Sequence, residues 1–97
     1  MDLGLTGKVY VVTGGSRGLG YAGAAVLLAE GASVVIASRD PDRVAAAAGS
    51  LGCTGLALDL AEPTSADRLV EAAVTAYGRL DGALLSVGGP RPARLSA

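Results

Sequence analysis

Thr13-Gly14-Gly15-Ser16-Arg17-Gly18-Leu19-Gly20 lies between two stretches of different character. Before it runs Val9-Tyr10-Val11-Val12, an unbroken apolar segment that suits a strand buried on both faces. After it comes an alanine-rich segment that reads as a helix. A strand, a glycine turn and a helix in that order make a place for a nucleotide pyrophosphate. The turn lets the backbone approach phosphate oxygens closely, and the helix start offers N–H groups and the positive end of its dipole. An ordinary glycine-rich turn is the plain alternative; the flanking strand and helix favour the first reading.

Outward from this turn, the first strand is expected over 8–13 and the first helix from Arg17 or Gly18 to Glu30, stopped by Gly31. Ser33-Val34-Val35-Ile36-Ala37-Ser38 reads as the second strand. Asp40 then suits an N-cap and Pro41 the first helical residue. Val44, Ala47, Ala48 and Leu51 share one face of that second helix, which Gly49 and Gly52 should limit. A third strand follows from Thr54 to Leu58, with Asp59 at its carboxyl end. The third helix starts within Pro63-Thr64-Ser65-Ala66-Asp67, with Thr64 as its expected cap. Leu69, Val70, Ala73, Val74 and Tyr77 should form its buried side, and Gly78 its end. Leu80 and Ala83-Leu84-Leu85-Ser86-Val87 give a fourth strand, closed by Gly88-Gly89-Pro90, with 91–97 as loop.

The pattern is strand-helix three times, then a strand. Right-handed crossovers turn it into part of an α/β, three-layer, doubly wound parallel sheet with strand order 3-2-1-4.

Composition narrows the possible functions. The chain has 97 residues, one small domain at most, with 51% apolar residues. No run approaches the roughly 18 uncharged apolar residues of a membrane span. The start, Met1-Asp2-Leu3-Gly4, lacks the basic end and apolar block of a signal peptide, so a cytoplasmic location is expected. A net charge of −1 without like-charge blocks gives nucleic-acid binding no electrostatic support. The single cysteine, Cys53, reads as a small packed residue. With no histidine, Ser-His-Asp and Cys-His chemistry and histidine metal sites are excluded within this chain.

The stretch from Thr13 to Gly20 resembles the TGxxxGxG cofactor loop of the short-chain dehydrogenase/reductase family, with Gly14, Gly18 and Gly20 on the family's glycines. The resemblance implies a Rossmann fold and a cofactor held along this turn by Gly14, Ser16, Arg17, Gly18, Leu19 and Gly20. Gly14 would make the sharp exit from the strand, Gly18 the close approach to the diphosphate and Gly20 the close packing of helix on sheet.

At the end of the second strand, an acidic residue would hold the 2′-OH of NAD, and a basic one would accommodate the 2′-phosphate of NADP. The family's acidic position falls on uncharged Ser38, followed by Arg39. Arg17 stands where NADP-preferring members also place a basic residue. Two guanidinium forks could converge on one phosphate, so NADP is expected over NAD. The alternative is that both arginines are solvated surface charges, and Asp40 could compete for Arg39 or serve the 2′-OH. Asp59-Leu60 matches the family's adenine position: the Asp59 carboxylate would accept from the adenine amino group, and the Leu60 backbone would lie against the ring. A loop or capping aspartate is the alternative there. Ser86-Val87-Gly88-Gly89 stands where the family usually has Asn-Asn-Ala-Gly, and only the last glycine matches. Ser86 could replace part of the asparagine hydrogen bonding, and Val87 and Gly88 could contribute backbone contacts. A strand end followed by a Gly-Gly-Pro turn explains these residues equally well.

The family transfers hydride between a nicotinamide and a carbonyl or alcohol, with a tyrosine as general acid, a lysine four residues later and a serine. Here the single lysine is Lys8, and none of Tyr10, Tyr21 and Tyr77 precedes a lysine by four. The expectation is therefore the NADP-binding portion, residues 1–97, of a longer single domain whose catalytic portion is absent from this chain. The whole protein would be an oxidoreductase acting on a small carbonyl or alcohol, homo-oligomeric at full length. Its fourth strand would leave an unpaired edge here. A non-catalytic dinucleotide-binding or interaction module complete at this length is the rival. A flavin protein on a similar sheet is a third possibility, disfavoured by the TGxxxGxG spacing together with Asp59.

Overall fold

The structure is a computed structural model that describes residues 4–14, 18–59 and 62–85. Its elements alternate in the expected order: β1 (Val9–Thr13), α1 (Gly18–Ala29), β2 (Ser33–Ser38), α2 (Pro41–Leu51), β3 (Thr54–Ala57), α3 (Ser65–Tyr77) and β4 (Gly82–Leu85). The strands form one parallel sheet in the order β3-β2-β1-β4.

Alternation along β1 and β2 divides the core between the two faces of the sheet. Val9, Val11, Val35 and Ala37 point to one side, where Leu69 and Ala73 of α3 join Leu58. Val12, Val34 and Ile36 point to the other, under Ala24 of α1 and Val44, Ala47 and Ala48 of α2. The largest fully buried side chains, Ile36, Val12, Val34 and Val35, all belong to the two inner strands. Each such side chain contributes about 1.5–3 kcal/mol on burial, so the β1–β2 pair anchors the fold. β-branched residues suit it because they pack well on a pleated surface.

The β2–α2 junction follows its sequence signals. Asp40 Oδ1 accepts from the backbone N–H of Asp42 at 3.0 Å and of Arg43 at 3.2 Å, with Pro41 in the first turn. The helix ends at Gly52, and Gly49 lies inside it, so only the second of the two glycines is a limit. β1 starts at Val9 rather than Lys8, although the Lys8 carbonyl still accepts from Ser33 N–H at 2.8 Å.

α3 departs from expectation in two ways. Thr64 sits at its N-cap but makes no side-chain cap bond. The neighbouring Ser65, 2% exposed, instead donates its hydroxyl to the Asp59 carbonyl. The buried row is Ser65, Leu69 and Ala73, whereas Val70, Val74 and Tyr77 are 44%, 46% and 36% exposed. α3 packs across β1, β2 and β3, and that contact takes a narrower stripe, keeping Leu69 and Ala73 of the expected face and adding Ser65.

Register carries the chain to the site. Thr13 lies beside Ala37 and Leu85, and Ser38 beside Ala57, so the carboxyl ends of all four strands open on one edge of the sheet.

Candidate functional site

The turn after β1 begins with Gly14, whose N–H donates to the Ala37 carbonyl at 2.8 Å. That bond extends the β1–β2 ladder by one step before the chain leaves the sheet. Gly14 has φ 70°, a left-handed conformation that costs an L side chain about 1–2 kcal/mol. Gly18, also with positive φ (64°), opens α1. Leu19 belongs to the same first helical turn, and Gly20 in that turn is buried. No acidic residue occupies the first turn of α1, so its own carboxylates do not compete for an anion at the dipole's positive end. Ser16 and Arg17 lie outside the described residues.

α1 reaches over the sheet as far as β4. A Cβ at Gly23 would overlap the tip of the Leu84 side chain, so a larger residue there would displace that side chain. The glycine motif ends before Gly23; a glycine in mid-helix, costly on propensity alone, was the available signal.

At the end of β2, Ser38 is half-buried and its carbonyl accepts from Leu58 N–H at 2.9 Å. Its hydroxyl oxygen accepts from Asp40 N–H at 3.4 Å. Arg39 follows on the exposed crest, and among the described residues no carboxylate pairs with its guanidinium. Asp40 does not compete for it. Its Oδ1 caps α2, and its Oδ2 lies 3.4 Å from Nε of Arg43. Sequence reasoning passed over Arg43; an arginine three residues after an aspartate N-cap was the signal.

Beyond β3, Asp59 is exposed, and its carbonyl accepts from Glu62 N–H at 3.0 Å and from the Ser65 hydroxyl. The buried Ser65 thus holds the backbone that carries Asp59. Leu60, Val87 and Gly88 lie outside the described residues, as do Ser86 and Gly89. The described parts at this edge are therefore Gly14, the first turn of α1, Ser38, Arg39 and Asp59.

The opposite edge of the sheet is held by charge. Asp81 Oδ2 accepts from Val9 N–H at 2.8 Å and from Arg79 Nε at 2.9 Å, while Arg79 Nη2 donates to Oδ1 at 2.6 Å. Asp81 N–H also donates to the Val9 carbonyl at 2.8 Å. The Arg79 hydrogen bonds, then the Val9 N–H, hold the Asp81 carboxyl below its usual range. Cys53 packs half-buried against the α1–α2 face, and burial pushes its thiol up, away from the thiolate that nucleophilic chemistry needs. Among the described residues no helix is long and apolar enough to cross a membrane.

Comparison with known proteins places these features in a family. Residues 8–96 match the family model described as short chain dehydrogenase. An uncharacterised oxidoreductase of Mycobacterium tuberculosis is 42% identical over 93 residues, which cover 91% of this chain and 35% of that protein. A short-chain dehydrogenase/reductase of Pyricularia oryzae is 38% identical over 87 residues, 84% of this chain and 32% of its own length. Among solved structures, L-sorbose reductase from Gluconobacter frateurii, complexed with NADPH and L-sorbose, superposes with a TM-score of 0.84 at 37% identity. It is covered over 98% of this chain and 38% of its own. A short-chain type dehydrogenase/reductase from Mycobacterium ulcerans gives a TM-score of 0.85 at 34% identity, covering 92% and 35% of the two chains. The chain spans about a third of the length of the relatives it matches.

Proposed function

The chain belongs to the short-chain dehydrogenase family, and from that premise we propose that it is the NADP(H)-binding portion of an oxidoreductase acting on a small carbonyl or alcohol. The observation that carries the cofactor choice is the division of labour at the end of β2. Arg39 stands exposed after uncharged Ser38, while the adjacent Asp40 is engaged by its own helix and by Arg43. A 2′-phosphate would find a guanidinium there, and among the described residues no carboxylate is positioned to hold a 2′-OH. The NADPH complex of the L-sorbose reductase supports the same choice.

In this reading the backbone from Gly14 to Gly20, including Ser16 and Leu19, holds the pyrophosphate against the start of α1. Ser38, Arg39 and Arg17 take the 2′-phosphate. Asp59 accepts from the adenine amino group, with the Leu60 backbone against the ring, and the backbone of Val87 and Gly88 lines the ribose. The bound dinucleotide supplies the hydride; the residues here bind and orient it. The whole protein would supply the general acid and the substrate pocket, and it would assemble as a homo-oligomer. Leu84, 40% exposed on the edge strand β4, fits a sheet that continues in that larger protein.

The test is to express the protein at its relatives' full length and to measure NADPH oxidation against a panel of aldehydes and ketones. Carbonyl-dependent oxidation is expected. NADPH uptake without oxidation of any member would instead favour a binding module.

A further inference from the structure

We propose that Arg43 sets cofactor preference from a distance, as a positioning residue that keeps the Asp40 charge away from the 2′-phosphate; this rests on the NADP reading above. Asp40 is the residue next to Arg39, and it is committed to a structural task. Its Oδ1 accepts two N–H groups at the start of α2, at 3.0 and 3.2 Å. The cap keeps a negative charge beside the group that would read a dianionic phosphate. Left unpaired, that carboxylate would act against NADP in two ways. It could draw the Arg39 guanidinium into an ion pair, and it would repel the phosphate directly.

Arg43 answers both. Its Nε lies 3.4 Å from Oδ2, the oxygen that the cap leaves over. The two side chains are 55% and 48% exposed, so the pair alone adds little stability. Its consequence falls on the neighbour. With both oxygens engaged, Asp40 is turned toward α2, and Arg39 is left available. NAD lacks the 2′-phosphate, so it should scarcely register the change.

Direct titration of NADP+ and NAD+ into the purified protein tests this, using Arg43→Gln in the wild-type and Asp40→Asn backgrounds. Asparagine keeps an N-cap acceptor and removes the charge. Arg43→Gln is expected to raise the NADP+ Kd about three- to tenfold, consistent with one partly screened charge nearby, and to move NAD+ less than twofold. In the Asp40→Asn background the same substitution should change NADP+ binding less than twofold. An unchanged NADP+ Kd in Arg43→Gln would overturn the inference. So would an equal loss in both backgrounds, which would mean that Arg43 touches the phosphate itself. Arg39→Gln separates the two levels. If it weakens NADP+ while Arg43→Gln does not, only the Arg43 inference falls; if it leaves NADP+ binding intact, the 2′-phosphate reading falls and this one with it.

Discussion

Asp81 shows how one carboxylate can tie two strands together. It accepts from Val9 at the start of β1 and from Arg79 just before β4, so its charge joins an inner strand to an edge strand. Arg79 and the Val9 N–H favour the ionised form and lower the carboxyl's folded pKa. A lowered folded pKa adds stability that is present above the unfolded range, near 4, and is lost as pH falls through the folded value. Asp81→Asn keeps an acceptor for Val9 and removes the charge. Thermal melts of both proteins should therefore differ most above the usual carboxylate range and converge as pH falls well below it. A gap in Tm that stays constant over that range would show that the charge is irrelevant. At this scale the sequence was legible wherever a residue type has one local use. Asp40 before Pro41 could be read as a cap, and Gly14 as a sharp exit from a strand. Gly23 and Asp81 were harder to read, because each meets a partner, Leu84 or Val9, that only folding brings near. Asp81 is 72 residues from the Val9 N–H it accepts.

α2 illustrates what decides the placement of an element. It lies against β3 through Gly55, where a Cβ would come within 2.9 Å of Ala48 Cβ and 3.0 Å of the Val44 carbonyl oxygen. Real side chains do not approach that closely, so Gly55→Val must push α2 off the sheet. We expect a loss of about 1–3 kcal/mol, read as a lower urea midpoint at unchanged slope. An unchanged midpoint would mean that α2 can shift freely on β3. Helix starts and stops were legible because caps and glycines act locally, as Asp40, Gly52 and Gly78 do here. The expected face of α3 contained the buried Leu69 and Ala73 but was too wide. Apolar spacing finds a face, but the strands beneath decide which edge of that face is covered, and Val70 and Val74 fall outside it.

The whole molecule is a four-stranded sheet covered on both faces, with its carboxyl edge holding Gly14, Arg39 and Asp59 side by side in the chain's topology. Strand order was legible because three strand-helix repeats with right-handed crossovers allow few arrangements, and 3-2-1-4 is the one found. No catalytic set was legible, since no tyrosine here stands four residues before the single lysine. At this scale the proposal is that the edge binds a dinucleotide and that Arg39 selects the phosphorylated form. Isothermal titration of NADP+ and NAD+ into the wild-type protein and Arg39→Asp tests it most directly. The account predicts tighter binding of NADP+ by the wild type, and an Arg39→Asp variant that loses at least tenfold in NADP+ affinity, about 1.4 kcal/mol, while NAD+ binding changes far less. Equal losses for the two dinucleotides, or no uptake of either by the full-length wild type, would contradict it.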